Sequence, residues 1–181
     1  MTSPSGNAAD LESRAMTAYR QGDHAAAREG YAAAKAAYDA AGDAPKAAEM
    51  ANNLCVVLVA LGRGQEAVAV VQGTPETFAR AGDRLKAARA TGNLAAALEA
   101  AGELDKAVDA YQRAVDGLHS AGDRSGESQT WQALSRLQLG RGDPLAAAAS
   151  AQAGLNANPK PGLVRRFLRG MVNLAYRLPR P

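Results

Sequence analysis

The sequence predicts an all-α solenoid of about four helical hairpins, followed by one C-terminal amphipathic helix. Three observations carry the prediction. The triplet Ala-Gly-Asp recurs at 41–43, 81–83 and 121–123, a spacing of forty each time. Gly22, Gly62, Gly102 and Gly142 fall midway, so a glycine marks every twentieth residue from 22 to 142. Between the glycines, apolar side chains recur at helical steps, as in Leu54, Leu58 and Leu61 and again in Leu94 and Leu98. Self-similarity at a fixed period is the signature of a repeat array.

Each interval of twenty residues accommodates a helix of about four to five turns and a tight turn. A glycine just past each helix supplies the left-handed residue that side chains resist. Asp23, Asp43, Asp83, Asp123 and Asp143 each follow their glycine and are placed to cap the next helix. Alanine dominates, which favours helix while filling little space, so the helices should pack closely. Nothing alternates over a strand's length, and no sheet is expected. The expected organisation is a flexible N-terminus over 1–8, hairpins over 9–42, 43–82, 83–122 and 123–159, a Pro/Gly linker over 160–162 and a helix over 163–178. Two irregularities stand out. Gly73-Thr74-Pro75 falls inside a second helix, where Thr74 should cap and Pro75 should open a new segment. Gly92 sits inside a first helix at a cost of about 1 kcal/mol against alanine. Loose packing, or a close ligand backbone, would account for it.

The pattern resembles the tetratricopeptide repeat, a helix–turn–helix unit. The family's Asn-Leu pair matches Asn53-Leu54 and Asn93-Leu94, and its small packing residue matches Ala15, Cys55, Ala95 and Ser135. Its opening aromatic matches Trp131, its second-helix alanine Ala27, Ala67, Ala107 and Ala147, and its closing proline Pro159. The repeat is longer than the usual ~34 residues. In this it is more similar to the variant of large bacterial signalling proteins, kinesin light chains and cell-polarity adaptors. The resemblance implies a right-handed superhelical solenoid and a scaffold or adaptor that binds a protein or peptide segment in its concave groove. It also implies that first helices line that groove, which places Asn52, Asn53, Val56, Arg89, Asn93, Gln132 and Arg136 there. Asn53 and Asn93 lie forty apart, and an amide both donates and accepts. They could clip a peptide backbone at two points, or each could make a local contact with a neighbouring helix. The terminal-carboxylate clamp of some family members looks absent, because Glu12 and Met16 occupy its positions.

The net charge of +3 divides unevenly: residues 160–181 carry +6 with no acidic side chain, and the remainder carries −3. On a helix, Val164, Phe167, Leu168, Met171, Val172, Leu174, Ala175 and Leu178 share one side, and Arg165, Arg166, Arg169 and Arg177 the other. This segment could cap the last hairpin, dock into a partner, or lie on an anionic membrane. The alternative function is therefore a peripheral membrane protein anchored through Arg165, Arg166, Phe167, Arg169, Met171 and Arg177. Nucleic acid is not expected as a partner, since no basic stripe runs along the body.

The chain is not expected to be an enzyme or to carry a cofactor or metal. His24 and His119 stand at turns in different hairpins, Cys55 occupies a packing position, and every glycine with a clear role follows the period rather than a phosphate loop. A single cysteine, no apolar signal core and no run of ~18 apolar residues predict a soluble cytoplasmic protein. The alanine-rich, arginine-over-lysine usage resembles that of bacterial chains from GC-rich genomes.

Overall fold

The structure is a computed structural model and describes residues 4–157. The linker over 160–162 and the helix expected over 163–178, with Arg165, Arg166, Phe167, Arg169, Met171 and Arg177, lie outside the described residues. The described residues form an all-α solenoid: α1 (Pro4–Arg20), α2 (His24–Ala40), α3 (Ala44–Ala60), α4 (Gly64–Val71), α5 (Thr74–Arg80), α6 (Arg84–Ala100), α7 (Leu104–Ser120), α8 (Arg124–Gly140) and α9 (Pro144–Ala157). Helices α1, α2, α3, α6, α7 and α8 each span 17 residues, the length the twenty-residue interval leaves after a turn.

The turns close as the sequence dictates. Gly22, Gly42, Gly62, Gly82, Gly102, Gly122 and Gly142 all have φ between +70° and +80°, a region that costs other residues energy. The amide after each glycine returns to the preceding helix, as Asp43 N does to Tyr38 O at 3.0 Å. The aspartates then cap: Asp23, Asp43, Asp83, Asp123 and Asp143 accept from the amides of Ala26, Lys46, Lys86, Gly126 and Ala146 at 2.9–3.1 Å. Arg63 and Glu103, at the two turns without aspartate, make no such bond.

Alanine and glycine set how closely helices cross. A Cβ on Gly30 would stand 2.7 Å from Ala15 Cβ, and one on Gly117 would stand 2.8 Å from Ala88 Cβ. Neither hairpin could close to this distance with larger residues there. The core runs as a ribbon along the array. One part gathers Tyr31, Tyr38, Met50, Leu54, Val57 and Leu58 from α2 and α3. Another gathers Leu98, Tyr111, Leu134 and Leu137 from α6, α7 and α8. Cys55 is buried in the first of these with its thiol 3.6 Å from Asn93 O, and burial pushes that thiol up to about 12.

Two expectations need correction. Residues 1–8 are expected as a flexible end, but α1 already starts at Pro4 and Ala8 is fully buried. Proline suits the first helical turn, and a buried methyl favours extending the helix. Thr74 is expected to cap α5, and the helix does break there, but Gly73 occupies the cap position. The buried Thr74 hydroxyl instead donates back to Val71 O at 2.9 Å, tying α5 to the end of α4. Phe78 of α5 is thereby buried against Ala48 of α3 and Ala90 of α6.

Candidate functional site

The first helices of the second, third and fourth hairpins are α3, α6 and α8. They meet at two seams related by the forty-residue period, and the seams differ. At the α3/α6 seam, Asn93 Nδ2 donates to Asn52 Oδ1 at 3.2 Å, and the Thr74 hydroxyl stands 3.4 Å from the same oxygen. Lys86 Nζ pairs with Glu49 at 2.8 Å, and Glu49 also receives Lys46 at 3.0 Å. Lys46 in turn stands 3.7 Å from Glu12, so a ladder of charges crosses three hairpins. Burial raises the Glu49 carboxyl, but the hydrogen bonds from Lys86 and Lys46 outweigh it and hold the group below the ordinary carboxylate range.

At the α6/α8 seam the equivalents of Asn52 and Lys86 are Gly92 and Gly126. Both side chains are missing, and a cavity of about 540 Å³ opens in their place. A Cβ on Gly92 would meet only Ala114 Cβ at 3.8 Å, an ordinary contact. Glu49 is replaced by Arg89, which turns to the cap carboxylate Asp123 at 2.8 Å. A lysine at 126 would face that guanidinium and be repelled. It would also crowd the cap, since a Cβ there would stand 2.6 Å from Asp123 Oδ2. The amide of Gly126, then Arg89, hold the Asp123 carboxyl below its ordinary range.

The walls of this cleft are mixed. Arg89, Asn93 and Ala96 come from α6, and Ser125, Gln129, Thr130, Ala133 and Arg136 from α8. Tyr111 and Leu118 of α7 form its floor. The Tyr111 hydroxyl donates to Glu99 at 2.7 Å, and burial followed by that bond raises its pKa. Among the described residues Arg136 forms no ion pair, unlike Arg89. Such a surface offers two guanidinium groups, amides and hydroxyls around an apolar base.

Of the residues expected in the groove, Arg89, Asn93 and Arg136 are brought together here. Asn52 lies across the neighbouring seam, with its carbonyl oxygen engaged by Asn93. Asn53 is half-buried on α3 and Val56 is exposed on it, both outside the cleft. Gln132 is exposed and lines a separate cavity, which Arg136 also borders. Asn93 thus makes a contact with a neighbouring helix while facing the cleft. The readings from sequence missed Gly126, Ser125, Thr130 and the floor residues Tyr111 and Leu118 as lining. The signal for Gly126 was present, because Lys46 and Lys86 precede it at intervals of forty.

His119 and Arg124 both approach the buried Glu127 carboxylate, at 3.1 and 3.3 Å, and join the end of α7 to the start of α8. His24 stacks on Tyr19. Among the described residues no group of three or more His, Cys, Asp or Glu stands close enough to hold a metal, and no helix is long and apolar enough to cross a membrane.

Residues 46–120 match the family model described as tetratricopeptide repeat. No curated protein matches the chain. Among solved structures the chain is similar to BtubC (BKLC) from P. vanneervenii, with 21% identity, a TM-score of 0.75, and coverage of 100% of this chain and 69% of that one. It is also similar to the nearly identical TPR-like repeats named for a kinesin light chain of Podosopora anserina. There the identity is 16%, the TM-score 0.67, and the coverage 98% of this chain and 100% of the other. At these identities the likeness is one of fold.

Proposed function

We propose that this chain is a tetratricopeptide-repeat interaction scaffold whose α6/α8 cleft takes a peptide segment of a partner protein, a reading supported by the match of residues 46–120 to the tetratricopeptide-repeat model. The observation that carries the reading is the pair Gly92 and Gly126, which empty one seam while the adjoining seam is filled. A glycine inside a helix costs about 1 kcal/mol, and an empty cleft forfeits packing contacts as well. A ligand restores those contacts. The cleft's size and mixed lining suit one or two side chains of an extended segment, and the amides of Asn93 and Gln129 in its walls keep donor and acceptor capacity beyond their contacts with Asn52 and Ser125. The protein is in this reading a non-enzymatic adaptor within a larger complex.

Selection of binding peptides from a random displayed library on the full chain tests this, with affinities of the selected peptides then titrated by calorimetry. Gly92→Met places a side chain in the cleft without opposing the helix. It is expected to weaken every cleft-binding peptide by tenfold or more, roughly the contribution of one filled pocket, with an undiminished melting temperature. Peptides that bind Gly92→Met and the natural chain alike would remove the cleft from the proposal.

A further inference from the structure

Among the described residues, the last hairpin presents a seat that none of them fills. Helix α8 packs with Ala95 of α6 and Tyr111 of α7 in one cluster, and Val115 follows one turn along α7; the three are 0%, 5% and 4% exposed. Forty residues on, the equivalent positions are Ser135, Ala151 and Leu155. Ser135 and Ala151 are half-buried and Leu155 is 66% exposed. With Gln132 and Arg136 they wall a cavity of about 370 Å³. The cavity is the α8 seat displaced by one repeat, with no described residue in it.

The period itself specifies an occupant. First helices begin at 44, 84 and 124, each two residues after a glycine, so the next falls due at 164, and Gly162 continues the glycine series. The Asn-Leu-small triplet of 53–55 and 93–95 returns as Asn173-Leu174-Ala175. Leu58 and Leu98 are followed in register by Leu178, and Lys46 and Lys86 by Arg166. Helical amphipathicity alone does not require this register, since an amphipathic helix could start at any residue. Leu134, the equivalent of Leu174, is buried in one cluster with Ala95 and Tyr111.

We propose that residues 164–178 form a fifth first helix and occupy this seat, with Leu174 and Ala175 against Ser135, Ala151 and Leu155. Only six residues separate Ala157 from residue 164. A tether that short gives an effective concentration of about millimolar or more, which favours this segment over a second copy of the chain.

Hydrogen–deuterium exchange on the full chain tests the assignment. Amides of 166–178 exchange about a hundredfold slower than in an unstructured peptide. Leu174→Asp abolishes that protection and speeds exchange in 151–157, and Leu155→Asp does the same from the other side. Amides of α1–α7, read in the same spectra, report whether a variant still folds. If Leu155→Asp does not, Leu174→Asp carries the test alone, because it changes nothing in residues 4–157. Four results would overturn the proposal. The tail could exchange at unstructured rates, or keep its protection in both variants. Its protection could rise with protein concentration alongside a dimer mass by light scattering, which assigns the seat to a second copy. It could also be protected only with phosphatidylserine–phosphatidylcholine vesicles, which assigns the segment to the membrane surface.

Discussion

The α3/α6 and α6/α8 seams join first helices of the same length at the same forty-residue offset, yet one is filled and the other is open. Exchanges on the first helices contribute to the difference, beside the Thr74 hydroxyl that reaches Asn52 only at the filled seam. Asn52 bridges to Asn93 at the first seam, whereas Gly92 has nothing to offer at the second. Glu49 draws Lys86 across the first seam, whereas Arg89 draws the cap Asp123 across the second and leaves Gly126 bare. A repeat array can therefore open a cleft without altering its backbone period, by truncating side chains along one seam, here Gly92, Gly126 and Ala133 in place of Asn52, Lys86 and Asn93. The reversal of charge from Glu49 to Arg89 explains why the second loss accompanies the first. Once an arginine occupies the acidic position, a lysine opposite it repels rather than pairs.

The comparison can be broken most strongly by making the filled seam resemble the open one. Asn52→Gly removes the bridge to Asn93 and adds a helical glycine. Together these cost about 2 kcal/mol, roughly one from each source. Urea denaturation measures the loss, and a change below a few tenths would mean that the bridge holds nothing. The converse substitution is smaller. Gly92→Ala fills no contact beyond Ala114 and gains helix propensity, so it should stabilise the chain by up to about 1 kcal/mol. A destabilised Gly92→Ala variant would show that the cleft is packed at that position after all.

The smallest expected effect is electrostatic. Glu49 at the filled seam and Asp123 at the open one both have depressed folded-state pKa values. Their contribution to stability is fully present above the ordinary carboxylate value of about 4 and is lost as pH falls through the lower folded values. Each pair is partly solvated, so the contribution is under about 1 kcal/mol. Melting temperatures at pH 7 and pH 3 should lie closer together in Glu49→Gln than in the natural chain. An unchanged gap would mean that the charge ladder contributes nothing.

Much of the fold was legible because its determinants are local. The glycine series, the aspartates behind it and the apolar steps between them each act within a few residues, and the structure places helices and turns where they fall. The break at Gly73-Thr74-Pro75 was legible for the same reason. The direction of the Thr74 hydroxyl was not, because it depends on a free carbonyl at Val71 and on Asn52 approaching from another helix. Of the candidate site, Arg89, Asn93 and Arg136 were placed by the family's register. Tyr111 and Leu118 were not, because core residues of a second helix become a floor only when the first helices part above them.

By itself the sequence determined the period, the all-α class, the turn geometry and the caps. These follow from glycine's access to positive φ, aspartate's reach to an amide three residues on, and the spacing of apolar side chains. Only the tertiary structure decided which seam is closed and which is open. Those outcomes rest on partners 34–41 residues apart, Arg89 with Asp123 and Asn52 with Asn93. Each side chain had several partners within reach of the same spacing, and packing chose among them.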